Sequence, residues 1–378
     1  MQLNPARVSY AAVDRALIGR GHAAAARPYV ALHPRHEATP LLPLASLARE
    51  LDVGAIHLKA EGGRMGLGSF KPLGGVHAVA RLIQAHAARR LGLPVLPTEL
   101  RSSAVRSIAD GLTFVCASAG NHGLAVAAAA QLFGATAVVF ISETVPESFV
   151  ERLGRQGARV VRMGADYEAS MAEAAAAADH NGWILVADSS WPGYTDIPLD
   201  IMRGYTLLLD EAADALDRMA GPASHVFVQV GVGGLAAAAA GYLRDRWGDG
   251  FTFIAVEPAG APCLVESARV GHPVRVVGAP TTLGRLDCKE PSLVAFELLA
   301  RLADGFMIIS DAQAAAAARR LTETGAPLSA CGAAGAAGLI ALAGDASLRR
   351  AIGLDAGARV LLIGSEAPAA PTLEPPGE

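Results

Sequence analysis

Short apolar runs recur along this 378-residue chain and alternate with longer stretches in which apolar and polar positions follow a helical spacing. Runs of this length are typical of strands buried on both faces of a sheet, and the stretches between them can form crossover helices. The alternation therefore predicts an α/β fold with parallel sheets and right-handed crossovers. The strand candidates are 137–141, 159–163, 183–187, 226–230, 253–256 and 360–363.

Composition narrows the class of protein. Hydrophobic residues make up 52% of the chain and charged residues 18%, which argues against disorder. The net charge of −4 offers no basic field, so neither nucleic acid nor a membrane surface is expected as a partner. The N-terminal 1–15 segment is mixed and polar, so no leader peptide is expected. The final 368–378 segment has four prolines and predicts a flexible tail.

The cysteines and histidines bear on compartment and metal binding. The four cysteines, Cys116, Cys263, Cys288 and Cys331, are far apart and form no C-x-x-C pair. This spacing favours buried thiols in a reducing, cytoplasmic setting over disulfides or zinc. The ten histidines show no ligand spacing, so no metal site is expected.

Lys71 is the first candidate for chemistry. It stands in Gly68-Ser69-Phe70-Lys71-Pro72-Leu73-Gly74-Gly75, between a polar-aromatic run and a helix-like stretch. Burial at such a boundary is expected to remove the proton from the amine, and only a neutral amine forms a Schiff base. The position suits covalent attachment of pyridoxal phosphate (PLP). A lysine that merely caps a strand-to-helix turn is the alternative.

Two further segments have the pattern of a strand, a turn and a helix N-terminus. In Ser118-Ala119-Gly120-Asn121-His122-Gly123, free backbone N–H groups can bind a substrate carboxylate, and the Asn121 amide can donate to a phenolate-like oxygen. Simple helix capping by Ser118 and Asn121 is the alternative. In Gly231-Val232-Gly233-Gly234-Leu235, glycines let the backbone approach a phosphate. This loop alone does not exclude a nucleotide phosphate, because Glu257 ends a later strand-like run.

Together, the three segments resemble fold-type II PLP enzymes, the group of threonine and serine dehydratases, cysteine synthases and diaminopropionate ammonia-lyase. The resemblance covers about 39–366 and is strongest to the ammonia-lyase. The runs that resemble this lyase rather than the general dehydratases are Trp191-Pro192-Gly193-Tyr194-Thr195-Asp196-Ile197-Pro198 and Ile201-Met202-Arg203-Gly204-Tyr205. Supporting stretches are 64–71, 256–258 and 288–291.

The resemblance implies an architecture. It implies two three-layer αβα domains of the tryptophan synthase β type, with PLP in the cleft between them. The larger domain would comprise 1–73 and 188–378, and the smaller would comprise 74–187. The family also implies a homodimer.

The resemblance also implies roles for individual residues. Lys71 would hold PLP and take the Cα proton of an L-substrate, and Asp188 would act near the substrate amine. Asn121 would bind the ring oxygen of the cofactor, and Ser365 would face its ring nitrogen. The full set of implied cofactor contacts is Phe70, Lys71, Asn121, Gly231, Val232, Gly233, Gly234 and Ser365. The implied substrate contacts are Ser118, Ala119, Gly120, His122, Asp188 and Tyr194.

Three positions depart from the ammonia-lyase pattern. Ala119 replaces an aspartate that handles the proton of the D-isomer, and alanine cannot accept a proton. Ala333 and Ala334 replace a glutamate and a serine, and their loss is expected to remove polar contacts near the cofactor or substrate. These departures favour L-specificity and keep a different substrate open.

The predicted function is a PLP-dependent lyase that eliminates ammonia from a small amino acid resembling 2,3-diaminopropionate, giving pyruvate. One alternative is an L-serine or L-threonine dehydratase, or a β-replacement synthase, of the same family. Another is a PLP-binding protein without catalysis, against which intact Lys71, Asn121 and the glycine loop argue.

Overall fold

The computed structural model describes residues 1–219 and 221–368 of the chain. The predicted flexible tail therefore lies, except for its first residue, outside the described residues. The strands in the described part are β1 (Gln2–Leu3), β2 (Leu41–Pro43), β3 (Ala55–Ala60), β4 (Thr113–Ala117), β5 (Thr136–Ile141), β6 (Arg159–Arg162), β7 (Ile184–Leu185), β8 (His225–Gln229), β9 (Thr252–Pro258), β10 (Gly305–Ile309) and β11 (Arg359–Gly364).

Helices connect most of these strands. They are α1 (Ala12–Leu17), α2 (Arg20–Val30), α3 (Ala45–Glu50), α4 (Lys71–Leu91), α5 (Ser103–Ala109), α6 (Asn121–Phe133), α7 (Glu147–Gly154), α8 (Tyr167–Asn181), α9 (Asp196–Met219), α10 (Gly234–Trp247), α11 (Cys263–Val270), α12 (Leu293–Leu302), α13 (Asp311–Glu323), α14 (Ala334–Ala343) and α15 (Ala346–Ile352). Short 3₁₀ helices span Glu61–Gly66 and Pro97–Glu99. None of the helices within 1–219 and 221–368 has the length and hydrophobicity needed to cross a membrane.

Two separate sheets organise the fold. The larger has seven strands in the order β1-β10-β9-β8-β11-β3-β2, parallel except for the antiparallel edge strands β1 and β2. The smaller has four parallel strands in the order β6-β5-β4-β7. The predicted parallel α/β class is thus confirmed, and every strand candidate from the sequence overlaps a strand. The edge strands were missed because two or three residues carry too little periodicity to be recognised.

Register brings the carboxyl ends of the central strands to one edge. β11 pairs with β8 through Leu362 and Phe227, and with β3 through Gly364 and Ala60. The glycine loop after β8 and Ser365 after β11 therefore emerge side by side. Open parallel sheets bind ligands at this edge.

Helices α4 and α9 cross with their backbones in close contact. An added Cβ on Gly204 of α9 would lie 2.4 Å from the carbonyl oxygen of Leu73 in α4. An added Cβ on Gly74 would lie 2.7 Å from the carbonyl oxygen of Ile201. This crossing fixes the first turn of α4, on which Lys71 stands.

The strands are distributed as the predicted domains require. All four strands of the smaller sheet fall within 113–185, and every strand of the larger sheet falls outside 74–187. The domain boundaries themselves stay a prediction.

Candidate functional site

A cavity of about 480 Å³ lies where the carboxyl ends of both sheets face each other. Thirteen of the fourteen predicted site residues line it, and Tyr194 does not. The predicted residues in the lining are Phe70, Lys71, Ser118, Ala119, Gly120, Asn121, His122, Asp188, Gly231, Val232, Gly233, Gly234 and Ser365. Segments distant in sequence thus converge on one site.

Lys71 forms an ion pair with Asp188 inside this cavity. Both side chains are mostly buried, with 20% and 14% of their surface exposed. Burial opposes the charge on Lys71, but the Asp188 carboxylate outweighs burial and raises the pKa of the amine. In this arrangement, Asp188 therefore favours the ammonium form of Lys71 over the neutral amine that burial alone would favour.

Asp188 stays ionised for the complementary reason. Burial alone would raise its pKa, but the charge of the Lys71 ammonium and its hydrogen bond hold the pKa of this carboxyl well below its usual range. The carboxylate is thus a permanent acceptor in the cavity wall.

His122 presents a second acceptor to the same place. Its Nε2 lies 2.7 Å from the carbonyl oxygen of Val186, so Nε2 carries the hydrogen and Nδ1 does not. Burial lowers the pKa of this imidazole, which keeps it neutral. The buried Nδ1 lies 3.9 Å from Asp188 Oδ2 and has no hydrogen-bond partner within residues 1–219 and 221–368. The Asp188 carboxylate and His122 Nδ1 are both hydrogen-bond acceptors, so a ligand group that donates hydrogen bonds is favoured between them.

Tyr194 supports Asp188 from outside the cavity. Its hydroxyl accepts a hydrogen bond from the backbone N–H of Ala187 at 3.0 Å and donates to the carbonyl of Leu185 at 2.8 Å. Its ring stacks on Trp191 with the centroids 4.4 Å apart. The structure therefore gives Tyr194 a place under the segment that carries Asp188, rather than the predicted contact with substrate.

The turn between β4 and α6 opens backbone N–H groups toward the cavity. An added Cβ on Gly123 would lie 2.0 Å from the carbonyl oxygen of Ser118, so only glycine permits this turn. The first N–H groups of α6 have no partners in the helix itself and can bind an anion.

Asn121, the first residue of α6, is partly engaged. Its side-chain amide donates one hydrogen bond to Glu366, which also accepts from the Ser329 hydroxyl and pairs with Arg285 Nε at 3.1 Å. The second amide hydrogen of Asn121 remains for a ligand. The contact to Glu366 joins the end of the smaller sheet to the end of the larger one.

The glycine loop leads into α10 on the opposite side. Gly233 is the N-cap of this helix and has φ 102°, a conformation that L side chains rarely adopt. An added Cβ on Gly231 would lie 3.0 Å from the carbonyl oxygen of Arg285 and 3.2 Å from Cys288 Sγ. Glycine is therefore favoured at Gly233 by its backbone conformation and at Gly231 by lack of space, and the helix terminus suits a phosphate.

The residues present fit PLP. A primary amine (Lys71), a phosphate-binding helix terminus (Gly233–Gly234) and an amide donor (Asn121) border one cavity. The Ser365 hydroxyl borders it as well and accepts from Gln229 Nε2 at 2.6 Å, which leaves its own proton for a ring nitrogen. The orphaned Nδ1 of His122 marks a polar atom that a ligand would satisfy.

Sequence reasoning missed several lining residues. Gln229 and Glu366 carried a signal, since each is a polar residue at the end of an otherwise apolar strand run. Phe149 and Tyr167 carried none, because they come from α7 and α8 and reach the site only through the tertiary fold. The remaining missed residues are Leu235, Gly284, Arg285, Leu286, Asp287, Cys288 and Cys331.

Two of the departures noted in the sequence do not touch the cavity. Ala333 and Ala334 are fully buried at the start of α14 and lie outside the lining. The two alanine methyl groups therefore form no part of the cavity wall, and the expected loss of polar contacts relative to the ammonia-lyase stays a prediction. Ala119 does line the cavity.

Comparison with known proteins gives consistent matches. The family model described as "Pyridoxal-phosphate dependent enzyme" matches residues 32–366. Diaminopropionate ammonia-lyase of Escherichia coli K12 is 33% identical over 360 residues, which cover 93% of this chain and 89% of the relative. The crystal structure of the Escherichia coli enzyme in complex with D-serine superposes with a TM-score of 0.86 at 30% identity, covering 97% of this chain and 93% of that one. The structure of the same enzyme in complex with an "aminoacrylate-PLP azomethine reaction intermediate" superposes with a TM-score of 0.84 at 30% identity. The superposition covers 97% of this chain and 92% of that one.

Proposed function

Because this chain belongs to the family of pyridoxal-phosphate-dependent enzymes, we propose that it is an ammonia-lyase acting on L-2,3-diaminopropionate or a close analogue. The reaction is an α,β-elimination that yields pyruvate and ammonia. Family membership confirms the predicted cofactor and the fold-type II class. The observation that carries the substrate assignment is the pair of acceptors formed by Asp188 and His122 beside Lys71.

PLP, when bound, supplies the electron sink that acidifies the Cα proton of an amino acid. Lys71 would hold it covalently, the N-terminus of α10 would bind its phosphate, and Asn121 and Ser365 would contact its ring. The chain's own residues then have three tasks, which are to bind the substrate carboxylate, to move one proton from Cα and to hold the leaving ammonium group.

The substrate carboxylate is assigned to the N-terminus of α6. The N–H groups after Ser118 are unpaired within the helix, and the helix dipole favours an anion there. Lys71, once displaced from the cofactor by the substrate amine, is the base for the Cα proton, because it is the cavity amine next to the cofactor-binding loop.

Asp188 and His122 are assigned to the leaving group. When Lys71 is bound to the cofactor, the Asp188 carboxylate loses the ammonium that it holds in this structure. A substrate ammonium on Cβ can replace that charge and donate to both Asp188 and the Nδ1 of His122. The Cβ hydroxyl of serine has no positive charge and only one hydrogen, so it cannot donate to both Asp188 and His122. The site therefore favours 2,3-diaminopropionate over serine. The amine leaves with its proton, and the released enamine hydrolyses to pyruvate and a second ammonia.

Ala119 supports specificity for the L-isomer. Its methyl group lines the cavity and cannot accept a proton. Lys71 thus remains as the base for the L-isomer. A dehydratase or β-replacement synthase remains the second candidate on the strength of this same residue, and a substrate profile separates it from the ammonia-lyase.

We further propose that the protein is a homodimer in the cytoplasm. The family resemblance supports the dimer. The four cysteines support a reducing compartment, because all of them are free thiols in the structure. Light scattering of the purified protein tests the dimer.

The chain's three lysines allow a direct test of the attachment site. They are Lys59, Lys71 and Lys289. After reduction of the loaded enzyme with borohydride, peptide mass mapping is expected to find the cofactor on Lys71. Lys71→Ala is expected to abolish both the attachment and turnover, and Lys289→Ala serves as the matched control that keeps both. Retained turnover in Lys71→Ala would refute the assignment.

A further inference from the structure

Gln229 is a buried polar residue at the end of β8, with 2% of its surface exposed. Its side-chain Nε2 donates to the carbonyl oxygens of Ile363 at 2.9 Å and Gly332 at 3.2 Å. A flipped amide would direct its oxygen at two carbonyls, which can only accept hydrogen bonds. The two carbonyls therefore fix the orientation of the amide, with its nitrogen toward the end of β11.

That orientation determines the hydrogen bond of Ser365. The Ser365 Oγ lies 2.6 Å from the same Nε2. The amide has two hydrogens for three acceptors, so the Ile363 and Gly332 carbonyls share one and Ser365 Oγ receives the other. An amide nitrogen cannot accept a hydrogen bond, so the amide donates and the hydroxyl accepts. Within the described residues, the hydroxyl proton of Ser365 then has no protein acceptor, and Ser365 lines the cavity.

We propose that Gln229 is a positioning residue that compels Ser365 to donate its hydroxyl proton to the ring nitrogen of the cofactor. A nitrogen that accepts this hydrogen bond is unprotonated. The inference rests on the proposed function, because it takes the cofactor ring to lie against Ser365. An unprotonated ring withdraws electrons less strongly than a protonated one, which suits elimination of a β-substituent better than transamination.

The direct test uses PLP labelled with ¹⁵N in the ring. Apoenzyme loaded with this cofactor is expected to give a ¹⁵N NMR signal at the position of an unprotonated pyridine that accepts a hydrogen bond. A wild-type signal at the position of a protonated pyridine would overturn the inference without any variant. This result would leave the proposed function intact, provided that the visible cofactor band and the Lys71 attachment are present. If no cofactor is retained, both proposals fail.

Variants separate positioning from structural support. Gln229→Glu keeps the size of the side chain but offers Ser365 an acceptor oxygen, ionised or not. The hydroxyl then turns away from the ring, and the ¹⁵N signal is expected to move downfield, toward the position of a pyridine without a hydrogen bond. Ser365→Ala should move it in the same direction. Gln229→Met removes the bonds to Ser365, Ile363 and Gly332 and offers no acceptor. Because the hydroxyl is then no longer held, the ¹⁵N signal should move part of the way in the same direction, whereas a merely structural role would lower the melting temperature alone. A loaded Gln229→Glu protein with the wild-type signal would contradict the inference.

Discussion

Asp188 holds the Lys71 ammonium in this structure, and the same carboxylate would face the substrate once Lys71 is bound to the cofactor. Asp188→Asn removes this charge without changing the shape of the side chain. Turnover of L-2,3-diaminopropionate is expected to fall by about 10- to 10²-fold, which corresponds to the loss of one hydrogen bond between charged groups. Asp287→Asn is the matched control, because Asp287 also lines the cavity but pairs with Lys289. Equal losses in both variants would argue against the role of Asp188.

The same variant changes the pKa of Lys71 in a defined direction. Asp188 raises this pKa against the opposing effect of burial, so its removal is expected to lower the pKa. Attachment of the cofactor needs the neutral amine, so the attachment rate rises with pH, and the rise should begin at a lower pH in Asp188→Asn. Stopped-flow absorbance across a pH series measures this. An unchanged pH profile would mean that Asp188 does not control the proton on Lys71.

Ala119 tests the argument on stereochemistry. Ala119→Asp supplies a carboxylate in the cavity wall where the ammonia-lyase pattern has one, and turnover of the D-isomer is expected to appear. Ala119→Asn has the same shape but cannot act as a base, so it should leave the D-isomer inert. The two variants are compared by pyruvate release from each isomer. D-isomer turnover in neither variant would show that this position does not set stereospecificity.

For individual residues, the sequence predicted which of them line the cavity better than it predicted their charge and hydrogen bonds. The motifs placed Lys71, Asn121 and the glycine loop in one cavity. The charge of Lys71 could not be predicted, because it depends on Asp188, which lies 117 residues away and is paired with Lys71 only in the folded chain. The supporting place of Tyr194 was missed for a different reason, since its hydroxyl bonds to backbone groups of Leu185 and Ala187, which leave no pattern in the sequence.

Among the elements, the crossing of α4 and α9 positions Lys71 most directly. Gly204→Ala would place a methyl group 2.4 Å from the Leu73 carbonyl and force the helices apart. The expected cost is about 1–3 kcal/mol of the free energy of unfolding, together with weaker binding of the cofactor. Gly21→Ala in α2 is the control, because an added Cβ there meets no atom of the described residues within 4 Å. Its effect should stay within about 1 kcal/mol. Urea unfolding of both variants measures the difference, and equal stabilities would contradict the close crossing.

The sequence predicted most of the parallel strands because continuous apolar runs are the mark of strands buried on both faces. The parallel strands β3 and β10 were not among the candidates. The sequence also missed the antiparallel edge strands β1 and β2, which have two and three residues and are held by their neighbours rather than by their own pattern. The 183–187 run was predicted as a full strand, but only Ile184–Leu185 is one. The chain leaves the sheet there to carry Asp188 into the cavity.

For the whole molecule, the site depends on two sheets meeting. Lys71 and Asn121 stand on helices that pack together, while the glycine loop and Ser365 follow strands of the larger sheet. The contact between Asn121 and Glu366 joins the two sides. The family resemblance predicted that the Lys71, Asn121 and glycine-loop motifs share one site. The contact between Asn121 and Glu366 could be found only from the structure.

The measurement that tests the central claim most directly is product formation by the loaded enzyme with L-2,3-diaminopropionate. We expect the visible cofactor band to shift and one pyruvate and two ammonia to appear per substrate molecule. L-serine should be turned over more slowly, and the D-isomer should give no pyruvate. The ammonia-lyase assignment would be contradicted if neither isomer of diaminopropionate changed the cofactor band while L-serine or L-threonine gave product. That result would identify a dehydratase or synthase instead.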